Sequence, residues 1–176
     1  MNFQGWTKTI MLCGMLLCAA SSHGWDLSPT PEFPLGNGAD IAQDGSDLQA
    51  DIRQAGNNRA SITQQGQSHQ ASIQQSGGHN QAELLQYGTD QQADITQLGW
   101  ENLAVVNQYG LGNQADIYQR GAYNSATVLQ NGSYNTASVN QIGTANTAVI
   151  SQNGFSNNVS VTQVGAGMYV SIQQWN

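Results

Sequence analysis

An 11-residue repeat runs through most of the chain and restricts the folds that are open to it. The repeat starts at Ala39, and thirteen units follow one another from there. Every step between units is 11 residues except the step from Ala50 to Ala60, which is one residue short. A period of this kind is typical of a repeat architecture, in which each unit packs mainly against its neighbours.

Four positions of the unit carry the pattern. Ala or Val comes first, an aliphatic residue lies two positions later and Gln four positions later in every unit, and Gly lies six positions later in every complete unit. Asn is common nine positions after the first residue. The central aliphatic positions are Ile95, Val106, Ile117, Val128, Val139 and Ile150. The central Gln positions are Gln86, Gln97, Gln108, Gln119, Gln130, Gln141, Gln152 and Gln163, and the Asn positions that follow them are Asn113, Asn124, Asn135, Asn146 and Asn157.

The spacing within a unit predicts a strand rather than a helix. Ala-x-Ile-x-Gln alternates with period 2, which is the pattern of a strand with one face inward. An 11-residue period also suits a right-handed coiled coil, but a Gly in each unit would cost about 1 kcal/mol in a helix. We therefore expect a strand of about five residues and a turn of about six, in which Gly takes positive φ and Asn tolerates left-handed geometry.

One short strand cannot bury its apolar face alone, so two consecutive units are expected to face each other in one coil. The predicted fold class is all-β: a two-sheet parallel β-solenoid with cross-β stacking, about six coils of roughly 22 residues, and roughly 4.8 Å between coils. Gln would then lie on Gln in successive coils, and hydrogen bonds along the stack would satisfy the buried amides. We predict that the aliphatic, Gln and Asn positions together form a self-assembly ladder.

The N-terminal segment is typical of a secretory signal peptide over residues 1–22. Lys8 supplies the positive charge, a short apolar run follows, and Ala20 and Ser22 are small residues at the −3 and −1 positions of a cut before His23. The apolar run is too short to span a bilayer, and no later stretch is apolar enough, so no transmembrane segment is expected.

The two cysteines, Cys13 and Cys18, both lie in that segment and leave a lipoprotein signal as an alternative. If the segment is removed, no disulfide can form, and stability must come from regular stacking. Residues 23–38 contain all three prolines and are expected to form a flexible leader. The predicted solenoid covers residues 39–176.

Charge is scarce and unevenly placed. The formal net charge is −7 and only 9% of residues are charged, which argues against nucleic-acid binding. From Gly121 to Asn176 there is no charged residue and no proline. Solenoid ends without charged caps present unpaired strand edges that recruit another chain. We therefore expect the C-terminal coils to be a templating end.

The repeat resembles the curlin repeat of curli subunits. The resemblance is carried by stretches such as GNQADIYQRGAYNSATVLQNGSYNTASVNQIGTANTAVISQNG, from Gly112 to Gly154. It implies a secreted functional amyloid that forms adhesive extracellular fibres in the biofilm matrix of Gram-negative bacteria. The implied partners are further copies of the chain, a sister curli subunit, and the export pore with its accessory proteins, reached through the periplasm. The resemblance implies no cofactor and no nucleic acid.

The resemblance is closer to minor, nucleating curlins than to major ones. The start HGWDL, from His23 to Leu27, and Ala at the first position of the unit look like minor subunits. Major subunits resemble a pattern with Ser in that place behind a Gly-rich leader. The uncharged C-terminus departs from minor subunits, whose last repeats are basic. We favour the nucleating role and keep the major structural subunit as the alternative.

Other functional classes find little support in the residues. His69 and His79 are expected to be solvated turn residues, and their spacing does not suit a metal site. No nucleophile elbow or triad is visible, so we expect no enzyme, no metal and no cofactor. A monomeric adhesin or ice-binding solenoid is the remaining alternative. Ice binding would need a regular Thr array, whereas outward positions vary, as at Ala42, Arg53 and Thr63.

Overall fold

The computed structural model describes residues 36–176, and this part of the chain consists of eleven β-strands without a helix. The predicted signal peptide, and the leader up to residue 35, lie outside the described residues. The strands are β1 (Gly38–Ser46), β2 (Gln49–Gln67), β3 (Gln70–Thr89), β4 (Gln92–Trp100), β5 (Leu103–Leu111), β6 (Gln114–Ala122), β7 (Ser125–Ser133), β8 (Thr136–Thr144), β9 (Thr147–Phe155), β10 (Asn158–Ala166) and β11 (Tyr169–Trp175).

All strands pair in parallel with like positions of the repeat opposite one another. Ile95 lies opposite Ile117, for example, and Gln97 opposite Gln119. Because β2 and β3 are long and bend at a corner, each contributes two segments: β2a (49–57), β2b (59–67), β3a (70–78) and β3b (81–89). The prediction of an all-β parallel solenoid of about six coils is confirmed.

The paired strands form two stacks. Stack A contains β2a, β3a, β4, β6, β8 and β10. Stack B contains β1, β2b, β3b, β5, β7, β9 and β11. The core lies between them and is built from the Ala and aliphatic positions, such as Ala115 and Ile117, with the Gln side chains beside them. The alternation of the repeat thus directs one face of every strand inward.

The strands are longer than the pattern predicts. Strands β4 to β10 each have nine residues, and two-residue connections separate them, whereas we expected five residues and a turn of six. The bend lies inside the strand, at glycines such as Gly121, whose φ is 124°. Stacking explains the difference, because the residues on both sides of the bend still pair with the next coil.

The left-handed residue of the connection is not the Asn. It is the residue before it, such as Tyr123 with φ 58° ahead of Asn124. The expectation that Asn serves the turn by tolerating left-handed geometry is therefore wrong. The Asn side chain is instead buried and hydrogen-bonded, while the residue before it points to solvent, as Tyr123 does.

The unit that starts at Ala50 has ten residues instead of eleven, and the difference is accommodated at one corner. The register passes from Asn57 opposite Gly78 to Arg59 opposite Gln81, so that Asn58 faces a longer segment of β3. The missing residue is the left-handed one, and strand pairing continues through the corner. The side chain of Asn58 still contacts the next coil, and the core is therefore uninterrupted.

Candidate assembly ladders and open ends

The inward glutamines form continuous hydrogen-bonded ladders. The Nε2 of Gln97 donates to the Oε1 of Gln119 in the next coil at 2.8 Å, and its own Oε1 accepts from Gln75 at 2.7 Å. The second Nε2 hydrogen of Gln97 is donated to the carbonyl oxygen of Gln81, in the opposite stack, at 2.9 Å. Each amide therefore links coils along the axis and the two stacks across the core, which satisfies a group that would be costly to bury unpaired.

The structure brings the predicted ladder residues together within one chain. All eight predicted glutamines and all six predicted aliphatic residues are buried. Every predicted glutamine except the last donates to the next glutamine of its stack; these donors are Gln86, Gln97, Gln108, Gln119, Gln130, Gln141 and Gln152. Their role in contacts between chains stays a prediction.

The asparagines form a second pair of ladders at the corners. The backbone N–H and the Nδ2 of Asn124 both donate to the Oδ1 of Asn102, at 3.2 and 3.0 Å. The Nδ2 also donates to the carbonyl oxygen of Gly143 in the next coil. Four predicted asparagines are buried, whereas Asn157 is half-buried because no further coil covers it.

His69 occupies an asparagine position of the corner ladder, which its residue type does not indicate. It is fully buried, so the expectation of a solvated turn residue is wrong for this histidine, whereas His79 is exposed. The Nδ1 of His69 accepts the backbone N–H of Gln91 at 3.3 Å, and its Nε2 lies 3.1 Å from the carbonyl oxygen of Gln65. A neutral imidazole with the proton on Nε2 therefore reproduces the acceptor and the donor of asparagine.

Protonation of His69 is expected to weaken the solenoid. Burial lowers the pKa of His69 below its usual value of 6.5, although the hydrogen bond to Gln65 and the charge of Asp90 act in the opposite direction. Because folding lowers the pKa, the stability that neutral His69 contributes is complete above the unfolded-state pKa. It is lost as the pH falls below that pKa. We expect His69→Asn to unfold at the same urea concentration as the parent at pH 8, and at a higher one at pH 5.

The matching control is His79→Asn, at the exposed histidine beside Trp100. It should follow the parent at both pH values. A His69→Asn variant whose advantage over the parent does not change between pH 8 and pH 5 would contradict the proposed protonation effect.

Comparison with known families agrees with this geometry. Five stretches of the chain match the curlin associated repeat, at residues 57–88, 69–99, 88–117, 110–143 and 143–174. The chain belongs to the curlin associated repeat family. These stretches span more than half of the chain and lie within its stacked coils. No curated protein matches the chain significantly.

Membership of this family makes the chain a subunit of the curli-fibre type, and the family is one of extracellular fibre subunits. The curlin repeats and the solenoid fold together favour a structural rather than an enzymatic protein. Among residues 36–176 we find no apolar helix of the length that a bilayer crossing requires. In the same range, no three His, Cys, Asp or Glu residues are grouped as metal ligands would be.

The two ends of the curlin solenoid expose complementary hydrogen-bonding groups. All ladder glutamines donate from the earlier coil to the later one. At the N-terminal edge, formed by β1 and β2a, the Oε1 atoms of Gln43 and Gln54 accept no hydrogen bond within residues 36–176. At the C-terminal edge, formed by β10 and β11, Gln163 is the last Gln of stack A, and its Nε2 donates only to the backbone carbonyl oxygens of Thr147 and Met168.

One like-charge pair lies on the outer surface of the curlin units. Asp94 and Asp116 are opposite each other in β4 and β6. Partial desolvation raises the pKa of Asp116, and the charge of Asp94 raises it further. The raised pKa means that this carboxyl contributes stability below the unfolded-state pKa of 3.8, and that the contribution is lost as the pH rises.

Asp116→Asn is therefore expected to be slightly more stable than the parent at pH 7 and equal to it near pH 3. The gain is small because the side chain is exposed and screened by water. Urea unfolding at both pH values measures it. Glu83→Gln is the control, because Glu83 lies between the uncharged Ser61 and Val105 and has no like charge opposite it. Equal gains for the two variants would contradict a pairwise repulsion.

Proposed function

We propose that the chain is a secreted curli subunit that polymerises at the cell surface into adhesive fibres of the biofilm matrix. Its export would use the predicted signal peptide at residues 1–22, the periplasm and the curli export pore with its accessory proteins. Stacks A and B would be the two sheets of the cross-β fibre. The observation that carries the proposal is that, within residues 36–176, the Gln ladders begin at acceptors without a donor and end at Gln163, which meets no further Gln.

Within the fibre we favour the minor, nucleating role. The support is the HGWDL start from His23 to Leu27 and the predominance of Ala at the first position of the unit. A nucleator must fold first and present an edge, and this chain forms Gln and Asn ladders between the coils of a single copy. The major structural subunit remains the alternative proposal.

Seeding kinetics test the proposed role. Purified chain is added in trace amounts to fresh sister subunit, and the lag before thioflavin fluorescence rises is measured. A nucleator shortens the lag sharply at sub-stoichiometric amounts. An unchanged lag, together with rapid polymerisation of the chain alone, would instead support the major subunit. A chain that stays monomeric at high concentration and does not seed would overturn the fibre proposal altogether.

The C-terminal coils are proposed as the templating end because they carry no charge. The acidic residues lie upstream of Gly121, where they oppose unwanted edge contacts. The fragments 121–176 and 39–120 can be compared directly as separate peptides. We expect the first to polymerise and the second to remain monomeric for longer, and the reverse order would contradict the proposal.

A further inference from the structure

We infer that successive copies of this chain stack head to tail with a half-turn about the fibre axis, which exchanges the two stacks at every junction. In this arrangement β1 of the second copy lies on β10 of the first, and β2a of the second copy lies on β11. The inference rests on the proposed fibre function and specifies the contact surfaces and the symmetry of the fibre.

The first argument is the unequal height of the two stacks. Within residues 36–176, stack B has seven strands and stack A has six, because these residues form thirteen units and the first and last of their strands both belong to stack B. The next position to be filled at the C-terminal edge is therefore the one on β10. A second copy can fill it with its own first strand, β1, only after turning by half a revolution.

Stacking without the half-turn leaves a defect. If β1 of the second copy lay on β11, the strand position above β10 would stay empty and one layer of backbone groups would be unpaired. If β2a of the second copy lay on β10 instead, β1 of the second copy would occupy the same space as β11. The cost of burying unpaired backbone groups disfavours the first case, and overlap of two strands excludes the second.

The corner residues give a second, independent argument. One corner ladder starts with Asn37 and ends at Met168, which has no side-chain amide. The other starts at Leu48 and ends at Asn157. With the half-turn, Asn37 of the second copy meets Asn157, and Leu48 meets Met168. Without it, each terminal Asn meets an apolar side chain and loses its ladder hydrogen bonds.

The Gln ladders determine that the contact is head to tail. The Nε2 of Gln163 would donate to the Oε1 of Gln43 in the second copy, and Gln174 would donate to Gln54. These bonds have the same direction as every Gln–Gln bond inside the chain. Contact between two N-terminal edges would instead oppose acceptor to acceptor and bring the carboxylates of β1 and β2a together.

Charge agrees with this arrangement. Asp40 and Asp44 of β1 would lie opposite Ser160 and Val164 of β10, and no charged residue lies in β10 or β11. Each junction therefore places acidic side chains beside neutral ones. Like charges directly opposite each other on paired strands would be unfavourable.

Disulfide trapping distinguishes the half-turn from direct stacking. In a background with Cys13→Ser and Cys18→Ser, two double variants are compared: Ala42→Cys with Thr162→Cys, and Ala42→Cys with Gln173→Cys. All three sites are exposed, and they occupy the same position of the unit in β1, β10 and β11. Paired positions on neighbouring strands lie at about 4.8 Å, within the Cα separation that a disulfide allows.

After fibres form and are oxidised, they are dissolved and run on a non-reducing gel. The half-turn predicts a series of covalent multimers for the Ala42/Thr162 variant and monomer for the Ala42/Gln173 variant. Multimers from the Ala42/Gln173 variant alone, or from neither variant although fibres form, would overturn the half-turn and leave the fibre function intact. If the cysteine-free background forms no thioflavin-binding fibres, the proposed function fails and the half-turn fails with it.

Discussion

Replacing Gln75 with glutamate is expected to destabilise the solenoid strongly at neutral pH. The side chain is buried, donates to Gln97 at 2.7 Å and to the carbonyl oxygen of Arg59 at 3.0 Å, and accepts from Gln54. Glutamate has the same shape, but its carboxylate cannot donate, so both donated bonds become repulsive oxygen–oxygen contacts. An uncompensated buried charge costs about 3–5 kcal/mol, which is a large part of the stability of a domain this size.

The pH dependence of the Gln75→Glu variant has a defined sign. Burial should raise the pKa of the new carboxyl in the folded state, so the destabilisation is largest above that value and decreases as the pH falls towards about 4. The protonated acid can again donate one hydrogen bond. Urea unfolding followed by circular dichroism, at pH 7 and pH 4, measures the effect.

Gln74→Glu is the matched control for this prediction. The two residues are neighbours in β3, but Gln74 is exposed and lies between Arg53 and Thr96 on the outer face. The same chemical change there should alter stability by less than about 0.5 kcal/mol. Similar losses for the two variants would mean that the inward ladder does not carry the stability we assign to it.

The direction of each side chain was predictable because every unit repeats the same period-2 alternation at the same positions. Within a unit, alternation places Ala, the aliphatic residue and Gln on one face, and the fixed phase of the repeat brings each onto its like in the next coil. The structure accordingly buries Ile117 and Gln119 and stacks them on Val139 and Gln141. This part of the candidate site needed no knowledge of the corner geometry.

The corners were less predictable because propensities describe isolated turns. A glycine with positive φ usually ends a strand, but in a stack the coil above supplies pairing partners on both sides of the bend. His69 was misassigned for a similar reason: its two ring nitrogens replace the amide of asparagine only in one tautomer and one buried setting. Residue type alone does not reveal this equivalence.

Gly143→Ala is expected to destabilise the solenoid strongly although it adds only one methyl group. Gly143 has φ 130°, a backbone conformation that L-residues rarely adopt, and an added Cβ would collide with the carbonyl oxygen of Gly165 in the next coil. Backbone strain of about 1–3 kcal/mol adds to overpacking of about 1–3 kcal/mol. We expect a loss of roughly 2–6 kcal/mol in urea unfolding, and a failure to form fibres at 37 °C.

Gly167→Ala is the control, because its φ is 67° and an added Cβ meets no atom within 4 Å. Ala145 already occupies the equivalent corner with φ 55°, so alanine is compatible with this backbone. The loss there should be about 1–2 kcal/mol, which is the cost of left-handed geometry for a residue with a Cβ. Equal losses at Gly143 and Gly167 would refute the argument from contact between coils.

Gly165 extends the same comparison to the contact between chains. Its φ is 138°, but in the single chain an added Cβ approaches only the Met168 Cε, at 3.5 Å, because no coil lies above β10. In the head-to-tail stack, Gly45 of the second copy would lie directly above Gly165. Its carbonyl oxygen would then collide with the Cβ of an alanine at position 165, just as the carbonyl oxygen of Gly165 collides with a Cβ at position 143. Gly165→Ala should therefore lose less monomer stability than Gly143→Ala, yet stop fibre elongation as completely. Normal elongation by this variant would show that β10 is not the surface on which the next copy stacks.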